Sequence, residues 1–144
     1  MIAAPETRFP PIATWRINAV RFAFLLMAFV MGSIVWRQVL FESADWEWQR
    51  GLAKSMLAAL ALLSLLGVRY PVQMLPLMLY EIAWKTVWIV LIAGRAWLNG
   101  KWTPEIEALF YDCIGIVIVY LVMPWRYVWA RYIAQPMEPL RQKL

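Results

Sequence analysis

Four long apolar segments, separated by short polar stretches, account for most of this chain of 144 residues. They cover residues 17–40, 52–68, 75–98 and 106–133. A helix rises about 1.5 Å per residue, so roughly 20 residues cross the ~30 Å hydrocarbon layer of a bilayer. Backbone polar groups cannot stay unpaired in lipid, and none of these segments alternates as a barrel strand would. The pattern predicts an all-α integral membrane protein, a four-helix bundle that forms a single membrane domain over residues 1–144.

Prolines and polar residues predict where the helices begin, bend and end. Residues 1–14 hold three prolines and are expected to form an irregular arm, whereas residues 135–144 are expected to form a polar tail. The sequence Thr103-Pro104-Glu105 places an N-cap, a first-turn proline and an acid at the start of the fourth helix. Pro124 lacks the N–H that would bond to Tyr120, so we expect a bend near the inner end of that helix.

The distribution of basic residues predicts the orientation in the membrane. Four crossings place both termini on one side, and that side carries eight basic residues against five on the other. An excess of Lys and Arg marks the cytoplasmic side. We therefore expect a multi-pass membrane protein with both termini in the cytoplasm. The net charge of +5 reflects this topology, and no nucleic-acid partner is expected.

The composition excludes several kinds of chemistry. Apolar residues make up 63% of the chain, more than the about 45–50% of a soluble domain. Histidine is absent and Cys113 is the single cysteine, which argues against a histidine-ligated haem and against most zinc sites. The sequence contains no P-loop, GxGxxG, HExxH, CxxC or GxSxG motif. We expect no catalytic, cofactor-binding or metal-binding residues, and a protein that is not an enzyme.

Several ionisable residues lie inside the apolar segments and form a predicted intramembrane charge network: Glu81, Lys85, Arg95, Asp112 and Arg126. Such groups usually face protein or water rather than lipid. Glu81 can pair with Lys85 four residues on, or with Arg126 or Arg21 across the bundle. Asp112 can reach Arg95 or Lys85, and nearby Gly115 is expected to let two helices approach closely. Either the network is paired and fixes helix register, or it lines a path for ions or protons.

Aromatic and basic residues at the inner end of the fourth segment form a second candidate site. Its members are Trp125, Arg126, Trp129 and Arg131. Indole rings prefer the headgroup level of a bilayer, and arginines bind anionic headgroups. These residues are expected to contact lipid headgroups, although topology and interface anchoring alone also explain them.

Two stretches of the second half of the chain carry a resemblance. Residues 69–85, RYPVQMLPLMLYEIAWK, together with residues 124–129, PWRYVW, resemble small four-span proteins of bacterial inner membranes that have no assigned activity. The resemblance implies a multi-pass protein of a bacterial inner (plasma) membrane and carries over no functional residue.

These observations favour two functions over a third, a lipid- or quinone-handling enzyme, which has only the aromatic and arginine-rich edge of the fourth segment in its favour. The first is a non-enzymatic scaffold or accessory component that works in the lipid bilayer with a membrane-protein partner or as a homo-oligomer. The second is a small homo-oligomeric transporter or channel that uses the charged stripe of the third segment.

Overall fold

The computed structural model describes residues 9–136. Regular structure within this range is entirely helical. The predicted arm over residues 1–14 is non-helical from residue 9 to residue 13, and its first eight residues lie outside the described range. Of the predicted tail over residues 135–144, only residues 135 and 136 lie within the described range.

The described residues form five longer helices joined by short connections, and a single 3-10 turn, Ser43–Asp45, lies between the first two. The five helices are α1 (Thr14–Phe41), α2 (Trp48–Arg69), α3 (Leu75–Leu98), α4 (Pro104–Val122) and α5 (Trp125–Ile133). Helices α1, α2 and α3 are each long and apolar enough to cross a membrane, and α4 with α5 forms a fourth crossing if the pair counts as one span. The all-α class is thus confirmed, with three to four candidate spans.

The fourth apolar segment departs from the predicted single helix over residues 106–133. Helices α4 and α5 meet at an angle of 78°. The bend arises because Pro124 forces the preceding Met123 out of the helical region, to φ −56° and ψ 129°. The expectation of a bend at Pro124 is confirmed, and the bend divides the segment into two helices.

Other local signals act as the sequence predicts. The hydroxyl of Thr103 accepts a hydrogen bond from the backbone N–H of Ile106 at 3.4 Å, and Pro104 occupies the first turn of α4. Gly100 turns the chain between α3 and α4 with φ 64°, a conformation that favours glycine.

The buried core lies between α1, α2, α3 and the C-terminal half of α4, and Val128 of α5 packs into it. Its largest fully buried side chains include Phe24, Leu75, Met78 and Met123. Two glycines allow α1 and α2 to approach each other closely. Gly67 of α2 lies under the ring of Phe24 of α1, and Gly32 of α1 lies against Ala61 of α2. Gly115 does not act in this way, because no atom lies within 4 Å of the position its Cβ would take. The predicted close approach at Gly115 is therefore wrong.

Two of the long helices contain a wide π-helical turn. One covers Leu26–Met31 in α1 and the other covers Trp88–Ala93 in α3. A π turn inserts one extra residue into the helix, so side chains beyond it are rotated relative to those before it. In α3 this rotation separates the faces on which Lys85 and Arg95 lie.

Candidate functional site

The first half of α3 holds a buried carboxylate whose two oxygens both have partners. Glu81 is 2% exposed. Lys85 Nζ lies 2.6 Å from its Oε1, and the indole N–H of Trp84 donates a hydrogen bond to its Oε2 at 2.7 Å. The Lys85 ammonium also lies 5.5 Å from the centroid of the Trp84 ring. We call Glu81, Trp84 and Lys85 the α3 triad.

The α3 triad follows from helical spacing alone. Residues three and four positions apart lie on neighbouring turns of one face, and a glutamate four residues before a lysine is the favourable order. A buried carboxylate is tolerated when it is neutralised and its lone pairs accept hydrogen bonds. The triad is the first of the alternatives that the sequence left open for Glu81. Because all three residues belong to α3, it does not by itself connect one helix to another.

The other members of the predicted network lie outside the triad. Arg95, Asp112 and Arg126 are exposed, and none of them makes a salt bridge with any residue from 9 to 136. The expectation that Arg95 and Asp112 face the interior is therefore not met. Arg126, expected as a possible partner of Glu81, makes no salt bridge with it.

Each of the three has a physical reason for its position. Arg95 follows the π turn of α3, which rotates it off the face of Glu81 and Lys85. Asp112 precedes the fully buried Cys113, and consecutive helical residues point about 100° apart. Arg126 lies beyond the 78° bend, on α5.

A hydroxyl pair connects α3 to α4 one residue beyond the triad. Thr86 Oγ1 donates to the carbonyl of Ile82 at 2.7 Å and lies 2.6 Å from the Tyr120 hydroxyl. The threonine hydroxyl has a single proton, so Tyr120 must be the donor in the second bond. Sequence reasoning missed this contact, because hydroxyl residues on apolar helices give no pattern that marks a pairing.

Arginines of α1 bind the C-terminal ends of two other helices. Arg16 Nη1 donates to the carbonyls of Leu121, Val122 and Met123 at 3.0, 3.2 and 3.0 Å. Arg21 Nε donates to the carbonyl of Val68 at 3.1 Å, near the end of α2. The last carbonyls of a helix have no intrahelical partner and form its negative end, which favours a cation there.

Trp125 completes this arrangement at the proline break. Its indole N–H donates at 2.8 Å to the carbonyl of Tyr120, the group that Pro124 leaves without its usual partner. The Trp125 and Tyr120 rings are stacked, with centroids 5.8 Å apart. Arg16 and Trp125 together satisfy the carbonyls that the bend exposes.

Replacing Arg16 with methionine is expected to lower the free energy of unfolding by about 1–2 kcal/mol, because the partly buried carbonyls of Val122 and Met123 lose a charged donor. Arg37→Met is the matched control, since Arg37 makes only an exposed salt bridge of 3.8 Å to Glu42. Thermal unfolding in a maltoside detergent measures both. Equal effects of the two substitutions would show that the carbonyl contacts of Arg16 contribute nothing.

The predicted headgroup residues lie together on α5, and all four are exposed. The guanidinium of Arg131 lies 5.2 Å from the centroid of the Phe9 ring, which in turn packs against Tyr127 at 5.6 Å. The indole N–H of Trp125 is bound to Tyr120, so it is not free to reach a headgroup. Arg126, Trp129 and Arg131 remain accessible.

An aromatic cleft that the sequence did not indicate lies between α3 and α4 at the end opposite α5. Its volume is about 610 Å³, and its walls include Trp97, Trp102, Phe110 and Tyr111 together with Glu107. In the sequence, Trp97 and Trp102 lie at or near the ends of apolar segments, where indole rings commonly anchor at the headgroup level, and nothing there indicates a shared cleft. Glu107 and Tyr111, spaced four residues apart on the helix that begins at Pro104, are the signal that could have indicated a shared face.

The fold and these contacts define a helical protein with three to four candidate membrane spans. The third span, α3, contains the ion pair between the buried Glu81 and Lys85. Within residues 9–136, no three His, Cys, Asp or Glu side chains are grouped as a metal site would require. Comparison of the chain with known protein families, curated proteins and solved structures finds no match.

Proposed function

We propose that this chain is a non-enzymatic scaffold or accessory component of a bacterial inner membrane. The observation that carries the proposal is the α3 triad: both oxygens of the buried Glu81 are already bound by Lys85 and Trp84. A carboxylate in a conduction path must release and rebind its partners, whereas a carboxylate held by its own helix serves the architecture of that helix.

The proposal includes four crossings with both termini in the cytoplasm. The length of α4 is about 28 Å at ~1.5 Å per residue, which approaches the hydrocarbon thickness without any contribution from α5. In this arrangement the bend of 78° directs α5 close to the membrane plane at the proposed inner surface. The excess of basic residues at this end favours the cytoplasmic side.

The surface of α5 is where we place the partner of the scaffold. Arg126, Trp129 and Arg131 are exposed there, and the described part of α5 contains no acidic residue. Aromatic and arginine side chains are enriched where proteins bind one another and where anionic lipid headgroups bind. The partner is accordingly a membrane protein or a second copy of this chain, in contact with the lipid headgroups of the inner leaflet.

A small homo-oligomeric transporter or channel is the second candidate. The aromatic cleft favours it, since Ile89 in the cleft wall follows Lys85 by about one helical turn. A path from the cleft to the α3 triad would need the Glu81–Lys85 salt bridge to open during transport.

Two measurements on the full chain separate these functions. In cells, in-membrane crosslinking followed by purification is expected to yield a stoichiometric partner or self-complex that Arg126→Gln/Arg131→Gln loses and Arg37→Gln keeps. In proteoliposomes, ion and solute flux is expected to be the same for the wild type, Glu81→Gln and the exposed control Glu47→Gln. Repeated purification without a partner or a self-complex, or a flux that only Glu81→Gln reduces, would contradict the scaffold.

A further inference from the structure

The aromatic cleft between α3 and α4 has the size and shape of a ligand site. Its volume of about 610 Å³ falls within the range of roughly 300–1,000 Å³ that is typical of small-molecule sites. Gly94 forms part of the α3 wall, where the missing side chain leaves room for an occupant. A Cβ built on Gly94 would meet only the carbonyl of Ile89 at 3.5 Å, so backbone crowding does not require glycine there.

The aromatic side chains of the cleft pack edge to face rather than stacking. The rings of Trp97 and Trp102 lie 5.6 Å apart at 88°, and those of Trp102 and Phe110 lie 5.6 Å apart at 68°. Phe110 and Tyr111 continue the series at 6.2 Å and 73°. The faces of such rings carry the negative end of the aromatic quadrupole and attract cations within about 6 Å.

The charge of the cleft has one sign. Glu107 is the ionisable acid in its wall, and neither Lys nor Arg takes part in the lining. Glu107 also makes no salt bridge with any residue from 9 to 136, so its carboxylate is available to an outside cation. A lipid acyl chain would gain nothing from a carboxylate at this position, whereas a positive centre would interact with both the carboxylate and the ring faces.

We propose that this cleft binds an amphiphilic organic cation, in which an ammonium or phosphonium centre carries apolar groups. The positive centre lies at Glu107, and the apolar groups lie against Trp97, Trp102 and Phe110. The occupant is either the ammonium head of a membrane lipid or a free organic cation, because both present the same chemistry to the cleft. The inference is independent of the scaffold role, since it involves neither the α3 triad nor the exposed residues of α5.

Equilibrium dialysis of the purified full chain in an uncharged maltoside detergent tests the proposal, with tetraphenylphosphonium as the probe. We expect saturable binding that Glu107→Gln weakens by about tenfold, since removal of a charge partner typically costs a factor of that order. Gly94→Leu should abolish binding by filling the cleft. Glu105→Gln is the matched control, because Glu105 is an exposed acid two residues away that does not line the cleft. Circular dichroism and size-exclusion chromatography verify that each variant is folded.

Tetraphenylborate has the same shape as the probe and the opposite charge, so it should show only unsaturable partition into the micelle. Equal binding of the two ions, unchanged affinity in Glu107→Gln, or an absence of saturable tetraphenylphosphonium binding would overturn the proposal. Short-chain phosphatidylethanolamine then identifies the source of the cation. Its competition with the probe, in the absence of competition by phosphatidylglycerol of equal chain length, assigns the site to a lipid head. A lack of competition assigns it to a free organic cation.

Discussion

Replacing Lys85 with methionine is expected to lower the free energy of unfolding by about 3–5 kcal/mol. The substitution keeps much of the side-chain volume and removes the ammonium that lies 2.6 Å from Glu81 Oε1. Glu81 would then remain 2% exposed, with the indole N–H of Trp84 as its other partner. A buried carboxylate without a counter-charge costs far more than the pair contributes when it is intact.

The double replacement Glu81→Leu/Lys85→Leu is expected to cost much less than Lys85→Met alone. Removing both charges leaves no desolvated ion, and an apolar pair of similar volume is often neutral. Unfolding by SDS titration from a maltoside detergent, combined in a double-mutant cycle with the single variants, measures the coupling. If the single and double replacements were strictly additive, the ion pair would have no energetic role in the fold.

Replacing Gly67 with alanine is expected to lower the free energy of unfolding by about 1–3 kcal/mol through overpacking. A Cβ at Gly67 would lie 2.6 Å from Phe24 Cδ2 and closer still to Cγ and Cδ1. Phe24 is fully buried in the core, so its ring cannot move aside without displacing its neighbours.

Gly51→Ala provides a control with the same chemical change in the same helix. No atom lies within 4 Å of its built Cβ, so alanine there should stabilise α2 slightly through helix propensity. A double variant, Gly67→Ala/Phe24→Leu, should recover part of the stability that Gly67→Ala loses, because leucine is smaller than phenylalanine and leaves room for the new Cβ. Thermal unfolding of the three variants checks the argument, and equal melting temperatures for Gly51→Ala and Gly67→Ala would refute it.

The pair Glu81–Lys85 and the more distant Arg95 show over what length of helix a sequence pattern predicts which residues share a face. The pairing of Glu81 with Lys85 was among the alternatives because residues four apart on a regular helix always share a face. Positions 81, 85, 88, 92 and 95 step by four and three, so the same periodicity predicts that Arg95 shares this face. That prediction holds only while the helix keeps 3.6 residues per turn. The π turn over Trp88–Ala93 does not keep this periodicity, and no residue type within it indicates a π turn in the sequence.

For Arg16 and Arg21 of α1, too, the sequence predicts a general role but does not identify the groups that they bind. Counting Arg16 and Arg21 as basic residues contributed to the predicted orientation, which requires only their position along the chain. Their partners are backbone carbonyls of other helices. Arg16 binds the carbonyl of Leu121 in α4, 105 residues away, and Arg21 binds that of Val68 in α2, 47 residues away. Only the packing of α1 against those helices decides which orphan carbonyls each guanidinium reaches.

The sequence by itself determined the all-helical class, the apolar segments, the N-cap at Thr103 and the bend at Pro124, because each depends on contacts within a few residues. The tertiary structure decided the partners of Arg16 and Tyr120, the packing of Gly67 under Phe24, and the aromatic cleft around Glu107. These features join residues from different helices. Their geometry depends on the rotation of each helix and the angle between neighbours, which local spacing does not specify.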